Sequence, residues 1–208
     1  MVENMGVFNT QDPEDNVPEI KSMAPEEPPI SDKEQRVGVF VDVQNMYYSA
    51  RLTRKAKINY EALLDHLQND RYLVRAVAYL LNKESVDQKA FIGALKAIGY
   101  DVRVKYLKMR EGDTDDRPAK GDWKVEMPLE IYSIAARLDA VVLVTGNGDY
   151  APLLEYLRKL GVRVEVAGFE GNTSAELIKL ADEFIPIPDD VLVHEKKFDA
   201  PPVQRTSE

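Results

Sequence analysis

A valine-rich run that ends on a carboxylate occurs twice in this chain, and nothing else in it limits the fold as tightly. The first is Arg36-Val-Gly-Val-Phe-Val-Asp42-Val-Gln-Asn45 and the second is Ala140-Val-Val-Leu-Val-Thr145-Gly-Asn147-Gly-Asp149-Tyr150. Both have the composition of a fully buried strand followed by a short turn and a helix start. Strands of that kind belong to parallel sheets covered on both faces. The carboxyl ends of such strands are where α/β proteins bind ligands. Asp is also a common helix cap, and either acid alone fits that role. Two on one sheet edge, each closing an apolar run, point to a site for a divalent cation.

The patterns between and around these runs alternate. Strands are expected at Val37–Val41, Tyr72–Leu80, Asp101–Leu107, Ala140–Val144, Val162–Ala167 and Phe184–Ile187. Helices are expected over 45–51, 60–67, 85–98, 123–138, 150–160 and 173–181, with Gly99 and Gly161 just past two of their ends. Strands alternating with helices imply right-handed crossovers and a mainly parallel central sheet flanked by helices. The pattern does not give the order of the strands.

The flanks differ from this middle. Residues 1–34 hold nine acids, two bases and five prolines, the composition of a disordered acidic tail. Residues 189–208 hold five acids and three bases and are expected to be a flexible tail. The tails thus carry −7 and −2, the whole net charge of −9, and the domain expected at 35–188 is neutral. A neutral domain argues neither for nor against a polyanionic partner. The absence of cysteine excludes thiolate metal sites and fits a cytoplasmic protein. His66 and His194 have no partner spacing for zinc or for a nucleophilic triad. No apolar stretch is long enough to span a membrane, and the sequence leaves a homo-oligomer open.

Asp42-x-x-Asn45 after the first strand resembles the opening of NYN domains, members of the PIN-like group of metal-dependent nucleases. The block from Leu143 through Thr145-Gly-Asn147-Gly-Asp149-Tyr150 to Phe169, followed by Thr173-Ser-Ala-Glu-Leu and Ala181-Asp-Glu-Phe-Ile185, is similar to the LabA-like branch. The resemblance covers about residues 36–188. It implies a single PIN-like α/β domain, Mg2+ or Mn2+ in an acidic pocket, and RNA, single-stranded, as substrate. It also implies which residues do the work. Asp42, Glu130 and Asp149 take the positions of metal-binding carboxylates, with Asn45 beside them as a fourth catalytic residue. Lys120-Gly121-Asp122-Trp123 matches a Lys-Gly element that opens a helix. The helix acid usual in the family falls on Lys124, the next Asp on Glu130, and the first Asp of the later turn on Asn147. Two carboxylate positions are therefore lost, one is changed to Glu, and two are intact.

Magnesium prefers carboxylate oxygens and retained waters, so three carboxylates hold at most one ion where five would hold two. Asn147, Lys124, Asp122 and Thr145 are supporting residues: amides orient waters, Lys124 neutralises a phosphate or stands in for a cation, and Asp122 and Thr145 cap turns or face the pocket. Arg51, Arg54, Lys55 and Lys57 form a basic cluster suited to a phosphate backbone, with Lys120 beside the Lys-Gly element. Trp123 offers a stacking face for a base, against the competing role of covering the core edge. Two functions follow. One is a divalent-metal-dependent ribonuclease. The other is a catalytically weakened NYN domain that binds RNA as a regulatory module, and Lys124 and Asn147 motivate it. A dinucleotide or P-loop site lacks its glycine fingerprint here.

Overall fold

The structure, a computed structural model, describes residues 32–83, 88–107 and 121–194. In chain order its elements are β1 (Arg36–Asp42), α1 (Val43–Arg54), β2 (Ala56–Ile58), α2 (Tyr60–Gln68), β3 (Tyr72–Lys83), α3 (Lys89–Ile98), β4 (Asp101–Leu107), α4 (Glu126–Ile134), β5 (Ala140–Val144), α5 (Ala151–Lys159), β6 (Arg163–Gly168), α6 (Ala175–Leu180), β7 (Glu183–Pro186) and β8 (Leu192–His194). Six strands form one sheet in the order β4-β3-β1-β5-β6-β7, and all its pairs are parallel. The mainly parallel sheet expected from the alternation is therefore present.

Period-two burial explains how the sheet is covered. Val37, Val39, Val41, Val142 and Val144 point into one core, with Met46, Leu63, Leu67 and Leu95 from α1, α2 and α3. Phe40, Val141 and Leu143 point into a second core, with Met127, Ile131, Leu154 and Leu177 from α4, α5 and α6. β1 and β5 are buried on both faces, and this is why they read as unbroken apolar runs rather than alternating ones.

The chain leaves β1 toward β3 and β4 on one side and later fills β5, β6 and β7 on the other. The strand order reverses between β1 and β5, and that crevice is the ligand position of open α/β sheets. Asp42 is the last residue of β1, and Thr145 and Gly146 follow β5. The two acid-terminated runs therefore meet at the switch point.

Among the elements that depart from the sequence reading are β2, β8 and α4. Residues 189–194, expected as the start of the flexible tail, form a 3-10 turn and then β8, which pairs antiparallel with β2. Three-residue strands carry too little periodicity to be seen. The helix expected from Trp123 starts at Glu126 and gives way to a 3-10 turn at Ala135–Arg137. The loop at 108–120, and with it Lys120, lies outside the described residues, as do the tail at 1–31 and the chain after 194.

At the opposite end of the sheet a buried ion pair joins its two halves. The Arg71 guanidinium donates to Glu165 Oε1 at 2.8 Å, Gln35 Oε1 at 3.0 Å and the Leu67 carbonyl at 2.6 Å. Arg71 is 8% exposed and Glu165 3%. Among the described residues no helix is long and apolar enough to cross a membrane.

Candidate nuclease-like site

The pocket at the switch point is a cavity of about 380 Å³ bordered by Asp42, Asn45, Tyr48, Asp122, Asn147, Tyr150 and Asn172, among others. Asp42 sits at its floor, 9% exposed. Its carboxylate caps α1 by accepting the Asn45 N–H at 3.0 Å. It also accepts from the Gln44 N–H and from the hydroxyls of Thr145 and Tyr150. Asn45 turns across the crevice, and its Oδ1 accepts the Gly146 N–H at 2.8 Å. This bond ties the start of α1 to the turn after β5, over 101 positions of sequence. The turn continues through Asn147, whose side chain accepts the Asp149 N–H at 3.1 Å and whose own N–H donates to Thr145 Oγ1 at 3.2 Å.

A small residue is obligatory at 146. A Cβ there would lie 2.4 Å from the Asn172 carbonyl oxygen, a backbone atom that cannot swing away. Gly146→Ala is expected to cost about 1–3 kcal/mol, measured as a shift of the urea midpoint with an unchanged m-value.

The structure does not bring the three proposed metal carboxylates together. Glu130, expected as a ligand, is turned to the basic face of β3 and β4. It accepts from Arg103 at 2.6 Å and from the Tyr79 hydroxyl at 3.0 Å, with Arg75 at 3.7 Å. Asp149 is 2.6 Å from Lys124 Nζ, whose charge also lies 3.9 Å from Asp122. Lys124 holds the Asp149 carboxyl below the usual carboxylate range, and Asp149 raises the lysine in return. Among the described residues, no three His, Asp or Glu side chains are close enough to share an ion.

The donor set thus does not fit Mg2+ or Mn2+ as it stands. Of the expected ligands, Asp42 already caps α1 by accepting the Asn45 N–H, Glu130 is neutralised by arginines, and Asp149 already has a cation. Residues 42, 45, 122, 147 and 150 gather around one cavity, whereas Glu130, Asp149 and Lys124 are not among its lining residues.

The expected RNA-binding residues also divide. Trp123 is 8% exposed and packs edge-on against Tyr79 with ring centroids 5.3 Å apart, so it covers the core edge and offers no open stacking face. Lys105 sits over its ring at 4.7 Å. Arg51, Lys55 and Lys57 do come together around one small hollow at the end of α1. Arg54 is drawn off to Asp189 at 3.4 Å, because β8 brings the chain back alongside β2. Tyr150, Gly146 and Asn172 were not singled out by sequence. Tyr150 had a signal: it directly follows the acid turn, where a helix start faces the crevice.

Burial raises the Asp42 carboxyl above its ordinary value of 3.8, and the hydrogen bonds from Asn45, Gln44, Thr145 and Tyr150 offset only part of this. A raised carboxyl holds its proton more tightly in the folded chain than in the unfolded one. Stability from this group therefore falls as pH rises from 3.8 through the folded value, and the penalty is complete above it. Asp42→Asn keeps the cap acceptor and removes the buried charge. It is expected to raise stability at neutral pH by about 1 kcal/mol, or roughly 2–4 °C in Tm, and to flatten this part of the pH–stability curve.

The NYN-domain family model matches residues 36–188, the span that carries the whole parallel sheet. The chain belongs to the NYN-domain family. Among its relatives is the low amplitude and bright protein LabA of Synechococcus elongatus, 27% identical over 161 residues, covering 74% of this chain and 84% of that protein. A crystal structure of a Vibrio parahaemolyticus protein of unknown function superposes with a TM-score of 0.69 at 34% identity, covering 79% of this chain and 99% of the other. NYN domains group with PIN-like proteins that are generally nucleases.

Proposed function

We propose that this NYN domain is an RNA-binding module in which one carboxylate of the nuclease-like constellation, Asp149, is paired with the chain's own lysine, and that it holds single-stranded RNA without depending on Mg2+ or Mn2+. The observation that carries this reading is the 2.6 Å pair between Lys124 and Asp149. A lysine stands where the family has a helix acid, and it neutralises the carboxylate that an ion would need. Pairing Asp149 with a fixed cation leaves the centre without the ion that would activate water. Arg51, Lys55 and Lys57 at the end of α1 supply the cationic surface for a strand's phosphate backbone.

The test is fluorescence anisotropy of a labelled 12-nucleotide RNA at fixed ionic strength. The reading expects the same affinity in EDTA, Mg2+ and Mn2+, no cleavage on denaturing gels, and affinity that falls steeply with added salt. Binding that requires the ion would overturn it.

One observation favours a second reading, a ribonuclease dependent on Mg2+ or Mn2+. Asp42 is a desolvated carboxylate at the floor of a cavity that Asp122 also borders. Cations relieve such desolvation, and groups shifted by burial in a cleft are frequent in active sites. That reading requires RNA cleavage by the purified chain that disappears in Asp42→Asn.

A further inference from the structure

A second, larger cleft of about 620 Å³ opens beside the Asp42 pocket, between α1, β2 and the start of α3. The two cavities share Gln44, Tyr48 and Leu81 in their walls, so one strand of nucleic acid can occupy both. Three aromatic side chains in it remain partly open to solvent: Tyr47, Tyr48 and Phe91. Exposed rings in a concave site are stacking surfaces for planar ligands. Lys57 lies on the same wall, where a phosphate leaving the cleft would pass.

Gln88 is the unusual member. It occupies the N-cap position of α3 but makes no side-chain cap bond. Its Oε1 is buried with no hydrogen-bond partner. A buried acceptor left unmatched carries a desolvation cost, and a ligand that donates to it recovers that cost. An apolar occupant would leave it unmatched.

We propose that this cleft is a nucleobase subsite, taking one unpaired base with an exocyclic amine stacked on Phe91 and the α1 tyrosines, its amine donating to Gln88 Oε1. The proposal rests on the RNA-binding reading and adds a base preference to it. Adenine and cytosine present an amine on the Watson–Crick edge. Uracil presents N3–H between two carbonyl oxygens, which oppose an acceptor in the wall. The cleft volume falls in the range of small-ligand sites.

The experiment compares labelled rA12 and rU12 by anisotropy with wild type, Gln88→Leu and Phe91→Ala, with thermal melts confirming that each variant folds. Wild type is expected to favour rA12 by roughly tenfold, the discrimination of one good base-edge contact. Gln88→Leu should abolish the preference, leaving the two RNAs bound with equal affinity. Phe91→Ala should weaken both RNAs by about tenfold, as loss of a stacking ring does. Equal wild-type affinity for both RNAs, unmoved by Gln88→Leu, overturns the subsite and leaves RNA binding intact. No binding of either RNA overturns both readings. A dimer in light scattering that dissociates on Phe91→Asp would assign the cleft to a second copy of the chain and overturn the subsite.

Discussion

Arg71→Met should lower stability by about 3–5 kcal/mol, since truncating one partner of a buried ion pair leaves the other charge unmatched. Glu165 is 3% exposed, and its second oxygen has no partner even in the intact protein. Arg163 also reaches Glu165, at 2.9 Å, but it is half-exposed and shared with Glu183. It cannot replace a guanidinium that also satisfies the Leu67 and Gln68 carbonyls. At this chain length the expected fall in Tm is on the order of 10 °C. The double variant Arg71→Met, Glu165→Leu should recover most of the loss, because an apolar pair of similar volume is often as stable as a buried ion pair. Recovery would identify the unmatched charge as the source of the damage. A double variant as unstable as the single one would assign the loss to the carbonyls that Arg71 caps.

The second large effect concerns the centre itself. Lys124→Asp together with Asn147→Asp removes the resident cation and restores two carboxylates beside Asp149 and Asp122. Without metal this variant should be less stable than wild type, because like charges gather at one rim. With Mn2+ at about one hundred times its dissociation constant it should gain roughly 2.7 kcal/mol. Wild type, with Lys124 bound to Asp149, should show no such gain. Cleavage of RNA appearing only in the double variant and only with metal would tie the lost chemistry to these two positions. If the variant neither binds Mn2+ nor cleaves, the lysine is not what keeps the centre closed.

The fold was largely legible in the sequence because its decisive signals are local. Val37–Val41 and Ala140–Val144 are apolar on both faces, and a strand buried in a parallel sheet is the economical explanation. What could not be read was which strands lie side by side. The reversal between β1 and β5 is a property of crossover direction, which no single segment encodes. β2 and β8 escaped because each is three residues long and its partner lies far along the chain.

The site was half legible for a similar reason. Asp42, Asn45 and Asn147 converge as their positions at strand ends imply. Glu130 does not, and the cause lies in strand residues already visible as alternating. Arg103 and Lys105 are two apart on β4 and project to one face, a spacing near 7 Å. Glu126 and Glu130 are four apart on α4, a spacing near 6 Å. The two pairs match, so Lys105 takes Glu126 at 2.6 Å and Arg103 takes Glu130 at the same distance. Aligning Glu130 with a family carboxylate identified its position in the chain, but the arginine opposite it decided where its charge went.

The claim that the Lys124–Asp149 pair keeps a metal ion from the centre is tested most directly by titrating Mn2+ into 15N-labelled protein and following amide linewidths. A bound paramagnetic ion broadens the signals of every amide close to it. The amides of Asn45, Gly146 and Asp149 are expected to keep their linewidths in wild type and to broaden in Lys124→Asp, Asn147→Asp. Selective broadening of those three amides in wild type at substoichiometric Mn2+ would mean that the ion binds beside Asp42 despite the lysine, and the metal-independent reading would be wrong.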